Sequence, residues 1–239
     1  MADRASPRGA APLAEHELIL AFDTSGPIGS VAVASGAVVL AREVLGRQGA
    51  HASGLVPAID DVLDEAGIDR DELRGIIVGE GPGSFTGVRV AAATAKGLGH
   101  ALGIPVWAVS SLAAAALAVN AAPVRYTLFD ARGERVYGAC FGVGSEGLEE
   151  MIAPHAGELR DVLDGEVPAG AVFLGDGAVR HRGVIEGAGF TVVEPDPVLT
   201  LADGLVEYLA RTGIAPVPDL PSWEPEYVRA SSAERLWRS

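Results

Sequence analysis

Two carboxylates and one glycine-rich turn are the groups in this chain whose types and spacing could do chemistry. Asp23 closes the triplet Ala21-Phe22-Asp23 and is followed by Thr24 and Ser25; Asp130 closes a matching triplet, Leu128-Phe129-Asp130. Carboxylates on facing turns can hold Mg²⁺ or take a nucleophile's proton in phosphoryl transfer, with Thr24 and Ser25 donating to a phosphate. The other reading is that both aspartates cap turns, as Asp does routinely. That reading is preferred, because nothing else needed for phosphoryl transfer is visible. The turn Gly79-Glu80-Gly81-Pro82-Gly83-Ser84-Phe85-Thr86-Gly87-Val88-Arg89 lacks the Gly-Lys-Ser/Thr of a Walker loop and the dinucleotide spacing. Glu80 inside it would repel a phosphate. Gly175-Asp176-Gly177, between a strand and a helix, has the form of a turn that contacts adenosine in two-lobed ATPases, and equally of a tight strand-to-helix turn.

Metal chemistry finds no support. The histidines are His16, His51, His100, His155 and His181, without a His-x3-His pair, and Cys140 is the one cysteine. Cys140 sits among apolar neighbours and reads as a core thiol. Ser110-Ser111 has no histidine nearby and reads as a helix cap, not a nucleophile.

These groups need elements to position them. Apolar spacing predicts strands over Leu18–Asp23, residues 29–34 and residues 37–44, the last two joined around Ser35-Gly36. Helices follow over His51–Ala66, where Pro57 must lie near the first turn or kink the helix, and over Phe85–Leu102, capped by Ser84 and stopped by Gly103. Strands are expected at 75–78 and 105–109 and a short helix at 112–119. The order then restarts: strands at 124–129, 135–141 and 148–152, a helix at 158–163, a strand at Val172–Leu174, a helix at 179–186, a strand at 191–193 and a helix at 201–210 capped by Thr200. This is a duplicated ribonuclease-H-like unit. The expected fold is α/β, with two such lobes of the actin/Hsp70/sugar-kinase type. The boundaries are an N-terminal tail at 1–16, a first lobe at 17–122, a second at 123–214 and a proline-rich tail at 215–239. A fold alone does not assign a function.

In the second helix Gly87, Ala91, Ala95 and Gly99 recur every four residues. Glycine inside a helix costs about 1 kcal/mol relative to alanine. Such a stripe is expected where another backbone approaches closely, either the helix His51–Ala66 or an external partner.

The net charge of −14 argues against capture of DNA or RNA by this chain alone. The basic residues are seventeen arginines and one lysine, Lys96. Apolar runs are too short to cross a membrane, and residues 1–15 hold no signal-like apolar stretch. With a lone cysteine, this points to the cytoplasm.

The string Gly81-Pro82-Gly83-Ser84-Phe85-Thr86-Gly87-Val88-Arg89 resembles the TsaB (YeaZ) family. So do Ile19-Leu20-Ala21-Phe22-Asp23-Thr24-Ser25, His51 with Leu55-Val56-Pro57, Thr94-Ala95-Lys96-Gly97-Leu98, Ile104-Pro105 and Ser110-Ser111-Leu112. The likeness is dense over residues 18–112. It is sparser at Asp130-Ala131-Arg132, Val136-Tyr137, Gly175-Asp176-Gly177 and Glu224-Pro225-Glu226-Tyr227-Val228-Arg229. The resemblance implies a non-catalytic dimerisation subunit in the making of N6-threonylcarbamoyladenosine beside the tRNA anticodon. It implies a TsaD-like catalytic partner, help in recruiting a TsaE-like ATPase, and tRNA contact only through the complex; for the chain alone, monomer and homodimer are both open. No cofactor is implied. The catalytic relative carries a metal-binding histidine pair just after the segment matching 104–112; here Ser110-Ser111-Leu112-Ala113-Ala114-Ala115-Ala116 has none. Carried over, the partner interface lies on the first two helices, at His51, Leu55, Ile59, Arg89, Ala91, Ala95, Lys96 and Gly99. Asp23, Thr24, Ser25, Asp130, Gly175, Asp176 and Gly177 are expected to line a vestigial nucleotide cleft. The alternative is a nucleotide-dependent kinase or ATPase of the same fold, using Asp23 and Asp130. A peptidase has neither a zinc site nor a nucleophile here.

Overall fold

The computed structural model describes residues 16–47, 51–145 and 147–225. The N-terminal tail up to residue 15 and the arginine-bearing end of the C-terminal tail, from residue 226, lie outside the described residues. The first half of the chain forms β1 (Leu18–Asp23), β2 (Ile28–Ser35), β3 (Val38–Arg47), α1 (His51–Ala66), a 3₁₀ turn (Arg70–Glu72), β4 (Gly75–Gly79), α2 (Phe85–Leu102), β5 (Val106–Val109) and α3 (Ser111–Leu117). The second forms β6 (Val124–Asp130), β7 (Arg135–Val143), β8 (Leu148–Glu158), α4 (Leu159–Asp164), β9 (Val172–Leu174), α5 (Asp176–Arg180), α6 (Arg182–Gly187), β10 (Thr191–Val192) and α7 (Leu201–Thr212). The sheets run β3-β2-β1-β4-β5 and, read from the matching end, β8-β7-β6-β9-β10. Each is an antiparallel meander extended by two parallel strands. One unit therefore occurs twice, as the repeated order of elements required.

Local chemistry explains most boundaries. Ser84 Oγ accepts from Gly87 N at 3.3 Å to start α2, and Gly103 at φ +65° stops it. Thr200 and Asp203 form a capping box at the start of α7. Some details differ from the sequence reading. The β2–β3 hairpin turns at Gly36 and Ala37, because Ser35 still pairs with Val38, and Gly36 takes φ +56°. Pro57 lies in the second turn of α1, and the helix continues through it. The helix expected over 179–186 is two short ones broken at His181.

Alternation along β1 sets the layers. Leu20 and Phe22 face a core closed by α1 and α2, while Ile19 and Ala21 face one closed by α3 and α7. That second core continues to Phe129, Ala139, Phe141 and Leu174 of the second sheet, so α3 and α7 fill the space between the sheets. Although α7 follows the second sheet in sequence, it packs on the first. Ala202 N donates to Ser30 Oγ at 3.0 Å, and a Cβ added at Gly204 would stand 2.0 Å from the Ala114 carbonyl oxygen. The join between halves is held by Arg125, which is buried and donates to the carbonyls of Ala116, Val119, Ala121 and Ala122 at 2.6–3.0 Å.

Candidate functional site

The end of β1 meets the glycine-rich turn and the start of α3. Asp23 is fully buried. Its Oδ1 accepts from Ser25 N at 2.6 Å and Ser25 Oγ at 2.7 Å, and its Oδ2 accepts from Ser111 Oγ. Ser111 Oγ in turn accepts from Gly81 N at 3.0 Å, while Ser111 N donates to the Gly81 carbonyl at 2.7 Å. Thr24 Oγ1 donates to the Gly87 carbonyl at 2.7 Å, and Ser84 N donates to the Ser25 carbonyl at 2.7 Å. Thr24 and Ser25 are buried as well. The three residues expected to line a nucleotide cleft are thus bonded to the protein itself. Each oxygen of the Asp23 carboxylate already holds at least one donor from within the fold.

This packing accounts for the glycines. A Cβ at Gly79 would lie 1.8 Å from Asp23 Oδ2, one at Gly83 2.3 Å from the Ser25 carbonyl oxygen, and one at Gly87 1.8 Å from the Thr24 carbonyl oxygen. The glycine-rich turn packs directly against the β1–β2 turn.

The second-lobe residues form a looser counterpart. A Cβ at Gly175, which has φ +95°, would stand 2.4 Å from the Leu128 carbonyl oxygen, and one at Gly177 2.7 Å from the Phe129 carbonyl carbon. Both glycines therefore serve to lay the strand-to-helix turn on the end of β6. Asp130 Oδ1 accepts from Arg132 N at 2.9 Å, and Oδ2 accepts from Arg180 Nη1 at 2.7 Å. Burial, with the Asp130 charge nearby adding to it, pushes the Asp176 carboxyl up to about 6 against the opposing pull of backbone amides. Among the described residues no three His, Cys, Asp or Glu side chains gather where a metal could be held.

The residues carried to the helical face divide sharply. Leu55 and Ile59 of α1 and Ala91, Ala95 and Gly99 of α2 are buried. Ala91 and Ala95 pack with Leu20, Phe22 and Val78, and a Cβ at Gly99 would meet Val106 Cγ2 at 2.6 Å and Leu220 Cδ2 at 3.0 Å. The close approach promised by the stripe is therefore internal, against the β1–β2 turn, the first sheet and the segment after α7. These five residues face inward and offer no surface to another molecule. Lys96 is half-buried and donates to the Pro221 carbonyl at 3.1 Å. His51 opens α1, but its side chain lies outside the described residues. Arg89 is exposed, with its guanidinium 4.1 Å from the centroid of the Phe85 ring. The face that α1 and α2 do present holds Val56 (53 % exposed), Pro57, Asp61, Asp64 and Glu65 on α1, and Phe85 (42 % exposed), Thr86, Arg89, Ala93, Gly97 and Ala101 on α2. At Gly97 nothing stands within 4 Å of an added Cβ. Sequence reasoning missed Ala93 and Gly97; the signal was a second run of small residues, two positions on from the first.

Comparison with known proteins follows the same lines. Residues 44–180 match the family model described as "TsaD: tRNA N6-adenosine threonylcarbamoyltransferase". The tRNA threonylcarbamoyladenosine biosynthesis protein TsaB of Bacillus subtilis is 30% identical over 230 residues, covering 92% of this chain and 97% of that protein. The solved structure of YeaZ from Pseudomonas aeruginosa superimposes with a TM-score of 0.72 at 30% identity, over 88% of this chain and 99% of that one. Component A of the (R)-2-hydroxyglutaryl-CoA dehydratase of Acidaminococcus fermentans shares the fold alone, with a TM-score of 0.51 at 10% identity over 81% of this chain and 96% of that one.

Proposed function

The chain belongs to the TsaB (YeaZ) family, and from that premise we propose that it is a non-catalytic subunit in the biosynthesis of N6-threonylcarbamoyladenosine on tRNA. In this reading it docks a TsaD-like catalytic subunit through the outer face of α1 and α2, and the pair helps recruit a TsaE-like ATPase. When alone, two copies associate through the same face. tRNA reaches the chain only within the complex, in keeping with a net charge of −14. Among the described residues no helix is long and apolar enough to cross a membrane.

One observation carries the non-catalytic half of this reading. The carboxylate that phosphoryl transfer would use, Asp23, is buried and accepts from Ser25 and Ser111. Ala113–Ala116 of α3, in the region where the resemblance puts the catalytic relative's histidine pair, carry no ligating side chain and pack between the sheets. The docking half is supported by the low relief of α2 at Ala93 and Gly97, framed by Phe85 and Val56.

The test uses residues that the fold does not need. Ala93→Arg or Gly97→Arg should weaken binding to the TsaD-like subunit at least about thirty-fold, as for loss of an interface hot spot, without lowering the melting temperature. Unaltered affinity would place the interface elsewhere. Mg-ATP added to the isolated chain should give no binding heat; steady ATP turnover or threonylcarbamoyl transfer by this chain alone would overturn the non-catalytic assignment.

A further inference from the structure

The face that α1 and α2 present differs from one side to the other. The first sheet runs β3-β2-β1-β4-β5, with α1 packed over β2 and β3 and α2 over β1, β4 and β5. One flank of the face therefore lies along β3. Asp61 and Glu65 of α1 stand there. Both are exposed, they lie one helical turn apart, and their charges add to burial in raising the Glu43 carboxyl on β3. Asp64 is exposed beside them. The other flank lies along β5, where Val217 N donates to the Val106 carbonyl at 2.8 Å. Lys96 of α2 turns toward this flank. It donates to the Pro221 carbonyl at 3.1 Å and sits 5.8 Å from the centroid of the Trp223 ring. Arg89 and His100, seven residues before Lys96 and four after it, share its side of the helix and are exposed. Between the flanks α1 raises Val56 and Pro57, whereas α2 is low at Ala93 and Gly97. One half of the face is thus raised and acidic, the other low and basic.

We propose that two copies of this chain pair with α1 of each lying on α2 of the other, about a two-fold axis that runs along the helices. The choice of face rests on the function proposed above; the arrangement upon it rests on charge and relief.

A closed pair of identical faces has two simple arrangements. An axis across the helices sets α1 on α1 and α2 on α2. It would bring Asp61, Asp64 and Glu65 against the same three residues of the other copy, in a chain whose net charge is −14. It would also leave the two low α2 surfaces facing each other. An axis along the helices exchanges the halves instead, so that raised meets low and acidic meets basic. Depth agrees with this choice. Both helices start at the same end of the sheet, because β3 and β4 run parallel to β1 and each helix returns to the next parallel strand. At about 1.5 Å per residue, Asp61 and Glu65 lie about 15 and 21 Å into α1, and Lys96 and His100 about 17 and 23 Å into α2. An axis along the helices preserves these depths. The acidic pair of one copy then comes level with the basic pair of the other.

Sedimentation equilibrium of the full chain at low salt reads the charge argument. Asp61→Asn with Glu65→Gln removes negative charge from an acidic protein, which by itself favours association. Here the double change should instead weaken the dimer at least about fivefold, and the difference should fade in high salt as charges are screened. An equal or tighter dimer would overturn the arrangement. Cross-linking reads the geometry. Glu65→Cys and His100→Cys in one chain place the two thiols on opposite flanks of that chain but next to each other between copies, and the native Cys140 is buried. Mild oxidation should turn most of this double variant into a covalent dimer on a denaturing gel and leave each single variant uncrosslinked. A cross-linked Glu65→Cys single variant would put α1 on α1 and overturn the proposal, and so would a double variant that stays uncrosslinked. The substituted positions are exposed, and an unchanged melting curve verifies the fold. A chain that stays monomeric at high micromolar concentration overturns the pairing, yet the proposed function stands if the TsaD-like subunit still binds. A pair of this arrangement that the TsaD-like subunit neither binds nor dissociates keeps the pairing and removes the function.

Discussion

Gly87→Ala and Gly97→Ala make the same chemical change in one helix and should shift stability in opposite directions. At either site alanine favours the helix by up to about 1 kcal/mol. At Gly97 that gain is unopposed, because an added methyl meets nothing within 4 Å. The variant should melt about 1–4 °C higher, taking about 2–4 °C per kcal/mol for a chain of this size. At Gly87 the methyl would stand 1.8 Å from the Thr24 carbonyl oxygen. Ordinary contact would require the turn to move by roughly 1.6 Å, from 1.8 Å to about 3.4 Å. The turn resists, since Thr24 Oγ1 bonds Gly87, and Asp23 and Ser25 beside it hold Ser111 and Ser84. Overpacking of this kind costs about 1–3 kcal/mol, and each buried hydrogen bond lost adds about 0.5–1.5 kcal/mol. After a helix gain of up to about 1 kcal/mol is subtracted, Gly87→Ala with one such bond lost should be destabilised by about 0.5–3.5 kcal/mol and melt about 1–14 °C lower. Circular dichroism melts of both variants at one protein concentration decide the matter. If both shift the same way, the inner and outer faces of α2 have been assigned wrongly.

Arg125→Leu leaves the carbonyls of Ala116, Val119, Ala121 and Ala122 without their shared donor. It should cost about 3 kcal/mol or more in urea denaturation; a loss under about 1 kcal/mol would show that the join between the halves does not depend on this grip. Asp176 has a folded-state pKa raised to about 6 from 3.8, so its contribution is fully present below the unfolded value and is lost as pH rises through 6. Asp176→Asn should therefore melt above the unaltered chain at pH 8, with the advantage fading toward pH 4; an advantage that grows on acidification would refute the buried-carboxyl argument. Ser111→Ala removes one of Asp23's donors and the acceptor of Gly81 N. It should destabilise the fold by about 2 kcal/mol without creating ATP turnover, which a coupled phosphate-release assay and a melt measure together.

The elements themselves were legible along the chain. The span of α1 followed from the spacing of Leu55, Ile59, Val62 and Leu63, and that of α2 from Ser84 and Gly103 at its ends. These signals act within a few residues, so local propensity and capping suffice to place them. The repeated order of strands and helices foretold two matched sheets for the same reason. The far end of β8 was not legible, since its residues beyond 152 carry weak alternation and stay extended through pairing with β7.

Which side of α2 faces inward could not be read from its own residues. Both sides carry alanine and glycine, so hydrophobic contrast around the helix is nearly absent, and the answer comes from the Thr24 carbonyl pressed against Gly87. The fate of Asp23 depends on Ser111, and the role of Lys96 on Pro221, each far away in sequence. Such partners meet only once the sheets are formed and α7 has folded back onto the first of them. Periodicity and caps along the chain thus named the parts and their kinship, while the closure of long loops chose which polar groups are sealed and which face is left for another molecule.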